Sequence, residues 1–176
     1  MEIIKKVEPI AHLEWTMGIG LICLAVLNMP INMIGFLLLG IGSEFPDLFD
    51  WIVFRGKKFV SGHREFSHTI FFLIVLIILT QFIPIIGFLA FGSILHILQD
   101  MLAGRDPIYL FSPISHRGGL MLINKEQSIR IGASVRNLIK GSYTGSDNIG
   151  DELSWFWFLT ILGSWILILG IFIYFS

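Results

Sequence analysis

Charge is what this chain has least of. Only 14% of its 176 residues are Asp, Glu, Lys or Arg, against about 25% in a typical soluble domain, while 55% are hydrophobic. That balance excludes an ordinary water-soluble globule and reads as an integral membrane protein. Twelve basic and thirteen acidic residues nearly cancel, to a formal −1, so neither nucleic acid nor any other strong polyion is an expected partner. Cysteine is almost missing as well. Cys23 is the single one; it can close no internal disulfide, completes no Cys-based zinc pattern and reads as packing inside an apolar run. A cleavable signal peptide is not expected, because the first nine residues mix both charges and no small-residue cleavage site follows. There is no internal repeat and no low-complexity linker. The length suits one domain, 1–176.

What is present is glycine, phenylalanine and long apolar runs. Eighteen glycines and sixteen phenylalanines fit helices that pack closely in lipid. The run from about Trp15 to Ile41 is long for one span, which needs about 20 residues, and Asn28-Met29-Pro30-Ile31-Asn32 interrupts it with a turn signal. Two helices are expected, from about Ala11 to Leu27 and from about Asn32 to Phe45, the second continuing through Asp47 to Phe54 despite Pro46. The run from Thr69 to about Leu98 divides in the same way at Gln81-Phe82-Ile83-Pro84. A third helix from about Ser67 to Phe82 and a fourth from about Pro84 to Leu102 follow, with Pro84 suited to a first helical turn. The stretch 104–152 is polar and holds six of the twelve basic residues. Leu153 to Tyr174 makes a fifth span, with aromatic residues near its ends suited to membrane interfaces.

The expected fold is therefore all-α: a bundle of about five transmembrane helices. Residues 1–103 form two helical hairpins, 104–152 a polar segment and 153–175 the final span. The tips at Asn28–Asn32 and Thr80–Pro84 carry no charge. Every Lys and Arg falls in the N-terminal arm, the 46–66 loop or the 104–152 segment, and all three lie on one face in this arrangement. The positive-inside rule puts that face in the cytoplasm of the cell membrane.

The ionisable residues of the apolar helices gather at their ends on that same face. His12 starts the first helix, Asp47 and Asp50 end the second, and His63 and His68 precede or open the third. His96 and Asp100 are four apart on the last turns of the fourth, so they share one side of it. Two antiparallel hairpins would bring all of them together. Imidazole with carboxylate suits a divalent ion, Zn2+ foremost, with Mn2+ or Fe as alternatives, and the number of donors allows one or two ions. Ionisable groups at membrane depth are costly and point to function. Asp47, His68, His96 and Asp100 are the leading metal ligands, with His12 next. Asp50, His63 and Arg64 are the catalytic candidates. The first two could be ligands, supports behind the ligands or proton carriers, and Arg64 could be the cation for an anionic substrate. His116 reads as a solvent or substrate contact more than a ligand, Asp151 and Glu152 read as acidic partners of the last helix's N-terminus, and Glu14 and Glu44 have no spacing argument that ranks them.

In order and spacing, these motifs resemble the YdjM-type membrane-bound metal-dependent hydrolases. The resemblance runs through His12, Gly40 to Asp50 with its Pro46-Asp47, His63-Arg64-Glu65-Phe66-Ser67-His68-Thr69, His96-Ile97-Leu98-Gln99-Asp100 and Phe111-Ser112-Pro113. Two departures stand out. Asp50 follows Asp47 by three residues where the family pattern has two, and Ser67 and Thr69 exchange the usual Thr and Ser. A more distant likeness, to zinc-dependent phospholipase C, rests on the order His12, Asp47, His68, His96, Asp100.

The first resemblance implies a metal-dependent hydrolase, the second phosphoester cleavage. A site at the membrane edge points to a phospholipid or lipid-linked substrate, cleaved by metal-activated water. A metal-ion or proton-coupled transporter and a non-catalytic scaffold are the competing classes. The first would need polar residues deep in several helices; the second would leave the His–Asp clustering without a cause.

Overall fold

The computed structural model describes residues 4–53, 66–103, 108–111, 119–123, 125–140 and 148–176. Among these residues the chain is all-helical: seven helices, no strand and one isolated bridge, Ile108 to Leu120. The helices are α1 (Ile4–Val26), α2 (Met33–Gly42), α3 (Phe45–Val53), α4 (Ile70–Phe82), α5 (Ile86–Ala103), α6 (Lys125–Lys140) and α7 (Asn148–Phe175). Both expected hairpin tips are turns. Asn28 takes φ 52, a left-handed conformation that Asn tolerates better than most residues, and Asn32 caps α2 by accepting from Gly35 N at 2.7 Å. Tyr174 of α7 closes over the first tip, its hydroxyl accepting from Ile31 N at 2.6 Å and donating to Met29 O at 3.3 Å.

The expected continuous helix from Asn32 to Phe54 is two helices. Pro46 has no N–H to give to the carbonyl four residues back, and its ring crowds that carbonyl. The helix therefore stops at Gly42 and restarts at Phe45, where a proline in the first turn costs no hydrogen bond. The third expected helix begins three residues later than its sequence indicates, at Ile70. Thr69 is the reason: it takes an extended conformation (φ −96, ψ 157) and its hydroxyl caps the helix at Phe72 N, a role threonine favours. The polar stretch contains α6, which sequence reasoning had left without structure. α6 packs against α7, and its Ser128 and Gly132 are buried.

Packing follows the glycines. α1 and α7 run parallel, because Trp15 donates to Leu159 O at 2.7 Å while Gly18 further along meets Leu167 and Gly170. A Cβ on Gly18 would lie 2.6 Å from Leu167 N. α2 and α5 are parallel too, with Gly35 against Phe88 and Gly42 against Gly92. α4 lies antiparallel to α5, burying Phe72 and Leu76 on Ala90. Close backbone approach at small residues is how helices associate where lipid offers no hydrophobic contrast. Around the bundle, exposed Ile, Leu, Val and Phe continue along α2, α4 and α7. Among the described residues only α7 holds an apolar window of 18 residues, Phe158–Phe175. The apolar stretches Ile10–Val26, Met33–Gly42, Ile70–Phe82 and Ile86–Leu102 are shorter.

Candidate metal centre

The centre lies where α1, α3, α5 and the turn before α4 meet. Each element arrives for a local reason. The break before α3 turns Asp47 and Asp50 inward, while Phe45 and Phe49 of the same helix seat on Phe72 with ring centroids 5.9 and 5.0 Å apart. The Thr69 cap leaves His68 in the turn just outside α4. A backbone bond from Ile70 N to Leu110 O at 2.8 Å holds that turn down. α1 is tied to α5 beside His12 by the buried Gln99 amide. Oriented to satisfy both of its ends, that amide donates to His12 O at 3.2 Å and accepts from the Thr16 hydroxyl at 2.9 Å.

His12, Asp50, His68, His96 and Asp100 are all buried; Asp47 is one-third exposed. His68 Nε2 lies 3.2 Å from His96 Nε2, 3.1 Å from Asp100 Oδ2 and 3.4 Å from Asp47 Oδ1. His96 Nε2 is 3.6 Å from Asp100 Oδ2 and 3.9 Å from Asp47 Oδ1. The other oxygen of Asp100, Oδ1, faces His12 Nε2 at 3.5 Å, and His12 Nδ1 faces Glu44 Oε1 at 3.8 Å. Two groups thus have donor atoms within one ion's reach: Asp47, His68 and His96, and His12, Glu44 and His96. Asp100 lies between them. Asp50 stands behind the first group, with Oδ2 3.8 Å from His68 Nδ1. His63, Arg64 and His116 lie outside the described residues, as do the side chains of Asp151 and Glu152.

The tautomers fit a cation. The helix break frees the Ser43 carbonyl, which accepts a hydrogen bond from His96 Nδ1. With its proton on Nδ1, neutral His96 presents a lone pair at Nε2. His68 Nδ1 is engaged by Ser67 Oγ at 3.0 Å, so its Nε2 also faces inward. Two ring nitrogens at 3.2 Å beside two carboxylates call for positive charge between them. Asp47 Oδ1 and His12 Nδ1 are buried without a hydrogen-bond partner among the described residues, which is costly unless an ion or proton meets them. Backbone and carboxylate partners on the far nitrogens are what metal-binding imidazoles ordinarily have. The donor set fits a divalent metal.

Burial alone would lower the His68 pKa. Hydrogen bonds to Asp100 and Asp50 and the charges of Asp100 and Asp47 more than reverse this, leaving it well above the ordinary 6.5. In metal-free protein this raised pKa adds stability below pH 6.5, which fades as pH rises through the raised value. A metal must displace that proton. Titrating a divalent metal near neutral pH should therefore release a proton, seen as a binding heat that changes with the buffer's ionisation enthalpy. Affinity should weaken as pH falls. A buffer-independent heat would mean that His68 is not a ligand.

Sequence reasoning missed three parts of this centre. Glu44 was unranked because it has no helical partner at a ligand spacing. The Ser43 carbonyl has no side-chain signature at all. The Gln99–Thr16 tie sits inside His96-Ile97-Leu98-Gln99-Asp100, and a glutamine between two candidate ligands carries no spacing signal of its own. Neither the curated proteins nor the solved structures contain a significant match to the chain. A family model does match, over residues 8–174, and its description is an inner membrane protein. That span takes in every described residue of the centre, so the chain belongs to the YdjM inner membrane protein family and is a membrane protein.

Proposed function

We propose that this protein is a divalent-metal-dependent hydrolase that cleaves a phosphoester in a phospholipid or lipid-linked substrate, with Zn2+ the leading metal. One observation carries the reading: four separate segments deliver His12, Asp47, His68, His96 and Asp100 to one buried point. Structural packing alone gives no reason to bury three imidazoles among carboxylates. A metal held there supplies an activated water near neutral pH and neutralises charge growing on the phosphate.

The protein's own groups have distinct tasks. The Ser43 carbonyl and the Ser67 hydroxyl hold the far nitrogens of His96 and His68, with the Asp50 carboxylate behind His68. Asp47, His68 and His96 would hold one ion, His12 and Glu44 would help to hold a second, and Asp100, which faces both groups, would contribute negative charge to either. Asp47 is the ligand with a path to solvent and a route for protons. His63 and Arg64, five and four residues before His68, are assigned to proton transfer and to the substrate's negative charge.

Five membrane crossings complete the reading, made by α1, α2 with α3, α4, α5 and α7. The parallel pairs α1–α7 and α2–α5 and the antiparallel α4–α5 hairpin are the senses such a topology requires. Uncharged tips and basic residues on the site side favour a cytoplasm-facing centre.

Elemental analysis of purified protein, then a lipid panel scored for released head group or phosphate, tests the proposal. At least one equivalent of metal and hydrolysis of one lipid class are expected. Metal-free protein that gains no activity with Zn2+, Mn2+ or Fe would sink it.

A further inference from the structure

An apolar groove of about 630 Å3 lies between α1, α2 and α7. Leu13 and Met17, Leu37 and Ile41, and Leu167 and Ile171 form its three walls. Its volume is in the range of small-molecule sites. Leu13, Leu37, Ile41 and Ile171 are also exposed members of the belt that faces lipid, so the groove is open sideways to the bilayer. Glu14 and Glu44 also line it, yet the surface they give it is apolar; Glu44 Oε1 is buried, 3.8 Å from His12 Nδ1 at the metal centre. From Ile41 to Phe36 the groove follows α2 for five residues, about 8 Å of helix.

We infer that this groove seats one acyl chain of the lipid substrate, which enters sideways from the bilayer with its head group at Glu44 and the metal centre. The inference rests on the proposed hydrolase reading and adds how the substrate is held. Its occupant follows from the walls and their surroundings. They are continuous with the lipid-facing surface of a membrane protein, so acyl chains are the molecules that reach them at high concentration. The groove also passes Glu44, whose carboxylate borders the metal centre. A lipid lying in it would place its apolar chain along Leu37, Leu167 and Ile171 while its polar part reaches the His12–Glu44 side of the centre.

Two substitutions would fill the groove. A Cβ on Gly40 would meet Leu13 Cδ1 and Met17 Sδ at 3.4 Å, so Gly40→Leu sends the rest of its side chain into the space. Leu37→Trp does the same from an exposed position and leaves helix packing alone. The test uses full-length protein in phosphatidylethanolamine–phosphatidylglycerol vesicles. These contain a trace of phosphatidylethanolamine with a diazirine at the end of one acyl chain. After illumination, adducts are mapped by peptide mass spectrometry.

Adducts should concentrate on residues 13–17, 36–41 and 167–171, about fivefold above the equally exposed α4 face at Ile74, Val75 and Ile78. Leu37→Trp, and Gly40→Leu where it folds, should erase that excess while metal content stays at the wild-type level. Adducts spread evenly over α4 and the groove in wild type, or an excess that survives Leu37→Trp, overturn the inference. Metal content separates the two readings. Bound metal with even labelling removes the groove alone, whereas focused labelling without metal removes the hydrolase and keeps a lipid site.

Discussion

Asp100→Ala is expected to strip the protein of metal and hydrolysis together. No other carboxylate touches so much of the centre. Oδ2 lies 3.1 Å from His68 Nε2 and 3.6 Å from His96 Nε2, and Oδ1 lies 3.5 Å from His12 Nε2. Alanine would leave three imidazoles facing one another with Asp47 and Glu44 at the margins. Removing even a supporting partner of a metal ligand costs on the order of 10- to 100-fold in affinity, so loss of a shared ligand should exceed that. Asp100→Asn keeps the volume and one acceptor oxygen, and separates lost charge from lost packing. Metal content and lipid hydrolysis, measured on protein with wild-type circular dichroism, decide the matter. Full metal occupancy in Asp100→Ala would remove Asp100 from the ligand set.

The second large effect should come from a residue with no chemistry. Gly42→Ala places a Cβ 2.6 Å from Leu89 O and 2.9 Å from Gly92 Cα. Both are backbone atoms that cannot swing aside, so α2 and α5 must part. Overpacking of this kind costs about 1–3 kcal/mol. Separation also withdraws the Ser43 carbonyl from His96, releasing the tautomer that points Nε2 inward, so metal affinity should fall along with stability. Gly87→Ala is the matched control. Its Cβ would meet only Thr80 Cγ2, at 3.8 Å, and the change should stay within about 0.5 kcal/mol. Denaturant midpoints and metal content for the pair would test this. Equal behaviour of the two variants would refute close packing at Gly42.

Both predictions show which parts of the molecule were legible in the sequence. The hairpin tips were readable because Pro and Asn punctuate an apolar run in a local way. His96 and Asp100 were readable as neighbours because one helix fixes their spacing. The convergence of His12, Asp47, His68, His96 and Asp100 followed from those two facts and from where charge is missing. The break at Ser43–Glu44 was harder. Pro46 signals it, but a proline early in a helix and a proline within one look alike until the break is seen. For Asp50 the sequence leaves three roles open, a ligand, a support behind the ligands or a proton carrier; it faces the far nitrogen of His68 at 3.8 Å, the position of a support. The Gly42–Gly92 contact was not legible, since many glycines sit in helices and nothing local says which two will meet. Among the described side chains of α6 the buried ones are the small Ser128 and Gly132, which give no apolar stripe to read in the sequence.

The parallel pairing of α1 with α7 also has a consequence for biosynthesis. α1 carries His12 and makes its most extensive contact with α7, through Trp15, Gly18 and the bond from Ser164 to Glu14 at 3.0 Å. The ribosome completes α1, α3, α4 and α5, with His12, Asp47, His68, His96 and Asp100, before α7 emerges. A nascent chain therefore carries these five residues while the helix bearing His12 still lacks its most extensive packing partner. The clustering of His12 with the other four is thus expected to settle late in assembly, when α7 inserts.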